Sequence, residues 1–324
     1  VAYLLNGSKT TGTLAWYQNL DESADAYPVL DTTHSKVYGV YKYDCPLDTE
    51  GQLIGFNNNA EEESRAQDHT FENNKCVFCG LNLGGTITIA PVNGGALTEA
   101  EYEVANGVHT IKTDRAVIIS GITTTETVVV ASGVNANITL NGVTIDVSST
   151  NGACAFKIED NSTGNVTITL ADGSTNILKS GMYCAGLQKN GEYISDIQGK
   201  LTIQGGTKGT GKLTATGGYY GAGIGGGYYG AGTNITISGG VVEAIGGYDG
   251  AGIGGGYDGS GTNIIISGGT VTATGVKYGA GIGGGYRGVG SGITISGGTV
   301  TATGGDYGAG IGDGYALDGI NIII

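Results

Sequence analysis

The residues best suited to bind a metal lie in the first quarter of the chain, where Cys76 and Cys79 form a C-x-x-C pair followed by Gly80. Structural zinc sites often take two thiolate ligands from such a knuckle. His69 lies seven residues before the pair, and Cys45 is the other nearby cysteine. We therefore predict a structural Zn²⁺ site formed by Cys45, His69, Cys76 and Cys79, which would fold a segment with little core.

The alternatives to this site stay open at the level of sequence. His34 could replace His69 as the fourth ligand. The C-x-x-C pair could also be a redox pair, a disulfide between the two neighbouring cysteines, or two unbound thiols. His109 lies apart from these residues, and we expect an ordinary histidine at a strand edge.

Tyrosines supply the second group of candidate binding residues, because 19 of the 324 residues are Tyr and only one is Trp. Many recur every 29 residues in two columns, the second of which has Asp249 in place of one tyrosine. The columns are Tyr228, Tyr257, Tyr286 and Tyr315, and Tyr220, Tyr278 and Tyr307. Aromatic faces can stack on sugar rings, so we predict that these tyrosines bind a ligand. The alternative is that they shield glycine-rich backbone.

Acidic and basic residues do not form the clusters that glycoside chemistry needs. The acids of the repeated region are expected to point outward and are scattered; they include Glu243, Asp249, Asp258, Asp306 and Asp313, and the basic residues among these repeats include Lys277 and Arg287. Asp146, Lys157, Glu159, Asp160 and Asp172 lie in the less regular region and could still hold a site. We predict a non-catalytic protein, with a polysaccharide lyase or hydrolase as a weaker alternative.

Composition excludes some partners. The formal net charge is −14, which disfavours nucleic acid because phosphate binding needs a basic patch. No run of about 18 apolar residues is present, so no membrane span is expected. Cys154 and Cys184 are 30 residues apart; they could form a disulfide between neighbouring coils or remain free thiols.

The repeat that positions these residues contains GAGIGGG at 221–227, 250–256 and 279–285, and GAGIGDG at 308–314. The string matches G-x-G-x-x-G, but a dinucleotide site needs a helix after the glycines. Here another alternating segment follows, and the string recurs every 29 residues. The glycines therefore indicate backbone packing and turns rather than nucleotide binding.

Each repeat contains three short runs that alternate apolar and polar residues, which predicts three strands per coil. In one repeat they are Gly250–Gly256, Asn263–Ser267 and Thr270–Thr274. The apolar positions predicted to face inward are Ala222, Ile224, Ile235, Ile237, Val242 and Ala244, with their equivalents. We predict an all-β, right-handed parallel β-helix in which identical residues stack. Its first strand would leave a bare glycine face, with one tyrosine column on each side.

These patterns divide the chain into a small N-terminal module, 1–80, and a β-helix, 81–324. The β-helix comprises irregular coils, 81–205, and regular coils, 206–324. Upstream, Ala136–Leu140, Val166–Leu170 and Leu201–Ile203 continue the pattern, with an insertion at Lys189–Asp196. The last coil stops before its third strand, so we expect that the native chain continues or that another subunit docks there, near residues 81–130 of its neighbour.

Several segments resemble known families. VAYLLNG at 1–7, WYQNL at 16–20, YPVLDTTHSKVY at 27–38 and HTFENNKCVFCG at 69–80 resemble a module of large secreted proteins of gut Firmicutes. The TATGG, GAGIGGG and ITISGGTVTA strings resemble pectin-lyase-like β-helices of carbohydrate-binding and cell-surface proteins. The resemblance implies an extracellular location on the surface of a Gram-positive bacterium.

We therefore expect an adhesin or glycan-binding solenoid whose partner is a glycan or a host or bacterial surface component. The first alternative is a structural stalk or a fibre subunit that associates end to end. Ice binding is a weaker one, suggested by outward threonine rows. The rows are Thr270, Thr272 and Thr274, and Thr299, Thr301 and Thr303.

Overall fold

The computed structural model describes residues 85–191 and 199–315, together with the backbone of five short strands outside these ranges. The chain divides into two compact units, Val1–Leu83 and Gly84–Ile324. In the first unit, strands β1 (Leu53–Ile54) and β2 (Ala66–Gln67) pair antiparallel, as do β3 (Phe71–Glu72) and β4 (Lys75–Cys76).

The second unit consists of strands joined by turns. They are β5 (Thr88–Pro91), β6 (Tyr102–Ala105), β7 (Val108–Ile111), β8 (Val117–Thr123), β9 (Thr127–Val130), β10 (Asn137–Asp146), β11 (Phe156–Ile158), β12 (Val166–Leu170), β13 (Thr175–Lys179), β14 (Leu187–Gly191), β15 (Leu201–Gly205), β16 (Lys212–Thr216), β17 (Ile224–Gly225), β18 (Ala231–Ile237), β19 (Val241–Ile245), β20 (Ile253–Gly254), β21 (Gly261–Ile266), β22 (Thr270–Thr274), β23 (Ile282–Gly283), β24 (Gly290–Ile295), β25 (Thr299–Thr303), β26 (Ile311–Gly312) and β27 (Ile320–Ile323).

Strands of one coil pair in parallel with their equivalents in the next coil, which forms three stacks. One stack runs β12, β15, β18, β21, β24, β27, and a second runs β13, β16, β19, β22, β25. The third runs β11, β14, β17, β20, β23, β26. The predicted all-β parallel β-helix with three strands per coil is confirmed. The antiparallel pairs of this unit include β5 with β8 and β6 with β7, at its start.

The register between coils is the one that the repeat predicts. Ile264 pairs with Ile235 and Ile293, and Val271 pairs with Val242 and Val300. The side chains predicted to face inward are buried in most coils, with Ile264 and Ala273 at 0% exposure, and some of their equivalents in the last described coil, such as Val300, are partly buried. Identical apolar residues therefore stack along the axis and form one continuous hydrophobic core.

The glycine-rich strand differs from its prediction in two respects. The ladder is only two residues long, Ile253–Gly254, rather than Gly250–Gly256. The predicted bare glycine face is wrong, because Gly223 to Gly227 are buried. The segment that follows the glycine strand of one coil packs on the glycine strand of the next coil: a Cβ added to Gly232, in β18, would lie 2.0 Å from the Gly254 carbonyl oxygen. Glycines on both sides allow two backbones to touch, and this contact covers the face.

The irregular coils follow the predicted register. Ile138 pairs with Ile168, and Val166 pairs with Leu201. The insertion begins later than predicted, because Lys189 lies within β14, opposite Ile158, and is 3% exposed. Burial lowers the pKa of Lys189 to about 8.

Candidate functional site: a tyrosine-lined cleft

The two predicted tyrosine columns lie on one surface, so the prediction that they flank a glycine face on opposite sides is wrong. Backbone hydrogen bonds bring the columns together with a shift of one coil. Tyr257 N donates to Tyr220 O at 2.8 Å, and Tyr315 N donates to Tyr278 O at 3.0 Å. Each residue of one column thus binds the preceding coil of the other column, and the rings must meet.

The rings stack along and between the columns. The centroids of Tyr257 and Tyr286 are 5.3 Å apart with an interplanar angle of 24°, and those of Tyr286 and Tyr315 are 5.8 Å apart at 5°. Tyr278 stacks on Tyr307 at 5.3 Å and meets Tyr286 edge-on at 5.1 Å. The result is a continuous aromatic surface whose rings are partly exposed.

Four further tyrosines belong to this surface and were missed by the column argument. They are Tyr183, Tyr219, Tyr229 and Tyr248. Tyr219 and Tyr248 stack on each other with centroids 4.8 Å apart. Each lies one residue before a member of the second column, and the two are 29 residues apart. This two-member repeat is the sequence signal that indicates a third tyrosine column.

A cleft of about 550 Å³ opens in the aromatic surface. Its lining consists of eight tyrosines and one acid: Tyr219, Tyr220, Tyr248, Asp249, Tyr257, Tyr278, Tyr286, Tyr307 and Tyr315. The volume is within the usual range for small-molecule sites. Asp249 occupies the position that Tyr220 and Tyr278 hold in the neighbouring coils, so the column lacks a phenol ring there. We call this site the tyrosine cleft.

Asp249 is the acid of the cleft and is only 6% exposed. Burial raises the pKa of its carboxyl from 3.8 to about 6. Burial and the nearby Asp249 carboxylate together raise the pKa of Tyr219. A carboxylate that is costly to ionise where it stands would gain from a cationic partner.

Two basic residues already lie over rings of this surface. Lys277 Nζ is 5.1 Å from the Tyr248 ring centroid and 5.8 Å from that of Tyr278. The Arg287 guanidinium carbon is 5.7 Å from the centroid of Tyr286. These distances are typical of cation–π contacts, so the ring faces are electrostatically suited to positive charge.

The prediction that the acids of the regular coils all point outward is wrong for two of them. Asp249 lines the cleft, and Asp313 is 3% exposed. Asp313 Oδ1 accepts a hydrogen bond of 2.6 Å from Gly290 N. Its Oδ2 has no hydrogen-bond partner among the described residues. Asp313 replaces a glycine of the preceding repeats, so its side chain enters a space that backbone fills elsewhere.

Three of the acids predicted as site candidates in the irregular coils have structural partners. Asp146 lies 3.5 Å from Lys179, and Asp160 lies 3.1 Å from Lys157. Asp172 accepts hydrogen bonds from the backbone N–H groups of Lys208 and Thr210, and these bonds outweigh desolvation and lower its pKa. These contacts give three of the acids a role in holding turns and coils.

His109 is not at a strand edge, since β7 pairs with both β6 and β9. It is 3% exposed, its Nδ1 meets the Tyr102 hydroxyl, and its Nε2 is 3.2 Å from Glu126 Oε2. Glu126 accepts a hydrogen bond of 2.7 Å from Ile87 N. These contacts link β6 and β7 to the residues just before β5 and β9.

Cys154 and Cys184 form a disulfide with their Cα atoms 5.2 Å apart. The two cysteines precede Phe156 and Leu187, which pair in β11 and β14. The bond therefore joins neighbouring coils just before two paired strands, in the irregular part of the β-helix.

The predicted zinc ligands lie outside the residues whose side chains the structure describes. This applies to Cys45, His69, Cys76 and Cys79, and to the alternative His34. Within 85–191 and 199–315, no three His, Cys, Asp or Glu residues are grouped as a metal site would require. In the same ranges, no helix has the length and apolar character needed to span a bilayer.

Comparison with known proteins finds one similarity. Four segments match the family model described as a beta helix repeat: residues 208–228, 235–257, 264–286 and 293–315. The last residue of each segment is a tyrosine of the first column, so the matched unit includes one ring of the aromatic surface. No curated protein and no solved structure matches the chain.

Proposed function

We propose that this chain is an extracellular, non-catalytic surface protein that binds carbohydrate in the tyrosine cleft. The observation that carries the proposal is the cleft itself: about 550 Å³, lined by eight tyrosines and one acid. Tyrosine rings supply apolar faces for sugar rings and hydroxyls for their polar edges. The β-helix holds these rings on stacked coils, which fixes their spacing without a mobile loop.

Two further observations support the location and the absence of catalysis. The Cys154–Cys184 disulfide is a type of bond that persists in oxidising, extracellular compartments. The cleft contains one carboxylate, whereas glycoside hydrolysis usually requires a pair. A single acid among tyrosines is better suited to binding than to acid–base chemistry.

The proposal is tested by a glycan array with the full chain, followed by titration of the strongest ligand into variants. We expect Tyr257→Ala with Tyr286→Ala to weaken binding about tenfold or more, because two stacking faces of ~1 kcal/mol each are lost. Tyr229→Ala is the matched control, since Tyr229 is exposed on the same surface but does not line the cleft. Unchanged affinity in a folded double variant would remove the cleft from the binding site.

A structural stalk is the second candidate, and the ring stacking favours it. Tyr257, Tyr286 and Tyr315 stack on one another along the axis, which would stiffen a spacer. In that case the double variant would lose stability while any glycan binding persisted. Thermal denaturation of the same variants therefore separates the two candidates.

For residues 1–80 we propose the structural zinc site of Cys45, His69, Cys76 and Cys79. The support is the ligand set itself, three soft thiolates and an imidazole. Elemental analysis of the full chain, purified without chelator, should give one zinc per chain, and Cys76→Ser with Cys79→Ser should remove it. The control is Cys154→Ser with Cys184→Ser, which should keep the metal. A zinc-free wild-type chain would contradict the site.

A further inference from the structure

The tyrosine cleft has the composition of a cation site. Its lining combines several aromatic faces with one carboxylate, Asp249. An aromatic cage with an acid is the arrangement that recognises ammonium groups, because the ring faces and the carboxylate both attract positive charge.

Asp249 has no partner that would explain its position structurally. Its side chain is in no ion pair within 4.0 Å and in no hydrogen bond among the described residues, although it is only 6% exposed. Lys277, the nearest basic residue along the repeat, lies over Tyr248 instead. Removing most of a carboxylate from water destabilises a protein unless a group of opposite charge is near, so a cationic ligand group in the cleft would stabilise the Asp249 carboxylate.

The shape of the cleft points to the same group. Tyr183 stacks on Tyr220, and Tyr278 stacks on Tyr307, but Asp249 interrupts the column between these two pairs. The column therefore lacks one ring at this point, and a carboxylate of the cleft stands there instead. Tyr257 and Tyr286, which stack on each other, line the same cleft.

We propose that the tyrosine cleft binds a ligand through a positively charged ammonium group held between tyrosine faces and the Asp249 carboxylate. The inference rests on the proposed carbohydrate-binding function and names the class of ligand. Two sources carry this chemistry: sugars with a free amino group, and glycans or other molecules substituted with choline. The cleft is larger than the ammonium group alone, so the rest of the ligand would stack on the outer tyrosines.

The test is calorimetric titration of the full chain with four probes. They are choline, glucosamine oligomers, N-acetylglucosamine oligomers and a neutral glucose oligomer of the same length. We expect binding of choline or of the glucosamine oligomers, and the stronger of the two identifies the source. The N-acetylated and neutral oligomers should bind at least about tenfold more weakly, because they lack the cation.

Variants at one position provide the control. Asp249→Asn keeps the shape and removes the charge, and should weaken ammonium binding about tenfold or more. Asp249→Tyr restores the unbroken column and should abolish binding by filling the space. Lys277→Ala should preserve or strengthen binding, because Lys277 competes with the ligand ammonium for the same ring faces.

The outcomes separate the inference from the function on which it rests. Equal binding of charged and neutral oligomers, unchanged by Asp249→Asn, would overturn the ammonium site and leave carbohydrate binding in place. No binding of any probe, together with an empty glycan array, would overturn both. Loss of binding in Lys277→Ala as large as in Asp249→Asn would also overturn the ammonium site.

Discussion

The irregular and the regular coils of the β-helix form the same three stacks by different means. In the irregular coils, buried polar side chains close individual turns. Asn176, at 0% exposure, accepts hydrogen bonds from Gly142 N and Val143 N and donates to Lys212 O. In the regular coils, the position paired with Asn176 is apolar: Leu213, followed by Val242 and Val271. Where each coil repeats its neighbour, hydrogen bonds between the backbones of successive coils and stacked apolar side chains are sufficient. The irregular coils instead need specific polar side chains to bind backbone N–H groups.

The largest expected effect comes from a charge in the regular core. Ile264→Asp should unfold the β-helix or cost more than about 4 kcal/mol, because it buries an unpaired carboxylate inside a stack of isoleucines. Thr272→Asp, in the neighbouring stack but outward, should cost below about 1 kcal/mol. Urea denaturation of both variants measures the difference, and similar losses would contradict the inward and outward assignment.

A methyl group on a glycine should separate the two regions next. Gly254 has a φ of +136°, and an added Cβ would lie 1.9 Å from the Gly283 carbonyl oxygen. Gly254→Ala should therefore cost several kcal/mol, since backbone must move in two coils. Gly173, in an irregular coil, has a φ of +73° but open space around it, so Gly173→Ala should cost about 1 kcal/mol. Equal melting temperatures of the Gly254→Ala and Gly173→Ala variants would mean that the regular coils are less tightly packed around Gly254 than the structure shows.

The polar closure of the irregular coils can be replaced by the residue that the regular coils use. Asn176→Val introduces the apolar type of the regular column but leaves two backbone N–H groups without their acceptor. We expect a loss of about 2–3 kcal/mol in the free energy of unfolding. Val242→Ile, a similar change of size in the regular column, is the control. A neutral Asn176→Val variant would show that water can replace the amide.

The smallest expected effect is on the pH dependence of stability. The folded pKa of Asp249 is raised to about 6, so between about pH 4 and pH 6 the folded state holds a proton that the unfolded state has released. Its contribution to the free energy of unfolding therefore falls as the pH rises through this range and is constant above it. Lys277 stays charged in this pH range, because a hydrogen bond with the Tyr248 hydroxyl raises its pKa. Burial raises the pKa values of Tyr219, Tyr257 and Tyr278, so these hydroxyls stay neutral in the same range.

The irregular coils titrate in the opposite direction. A backbone hydrogen bond at Thr98 and the Arg115 side chain lower the pKa of Glu101 to about 2. The backbone hydrogen bonds of Asp172 lower the pKa of its carboxyl. Their contributions are present above about pH 4 and are lost as the pH falls. The quantity to measure is therefore the free energy of unfolding of wild type minus that of Asp249→Asn, at pH values from 4 to 7. If the two curves run parallel, the raised pKa is wrong.

Much of the fold was predictable because a repeat reports its own register. The equal spacing of Ile235, Ile264 and Ile293 states which residues stack, and period-two alternation states which of them face inward. The glycine strand was harder, because glycine carries no side chain by which a sequence reveals facing or covering. Lys189 was misplaced for a related reason: a charged residue next to an insertion resembles a loop, and only the pairing with Ile158 shows a buried strand position.

The sequence by itself determined the coil length, the inward columns and the presence of two tyrosine columns, since these depend on spacing along one chain. The tertiary structure decided which surfaces exist. Backbone hydrogen bonds shifted by one coil bring Tyr257 beside Tyr220, so two columns become one aromatic surface. The same packing turns Asp249 from a scattered acid into the single carboxylate of a tyrosine cleft. The environment of a side chain depends on neighbours from three successive coils. The spacing of residues along the chain does not show how far one tyrosine column is shifted against the other.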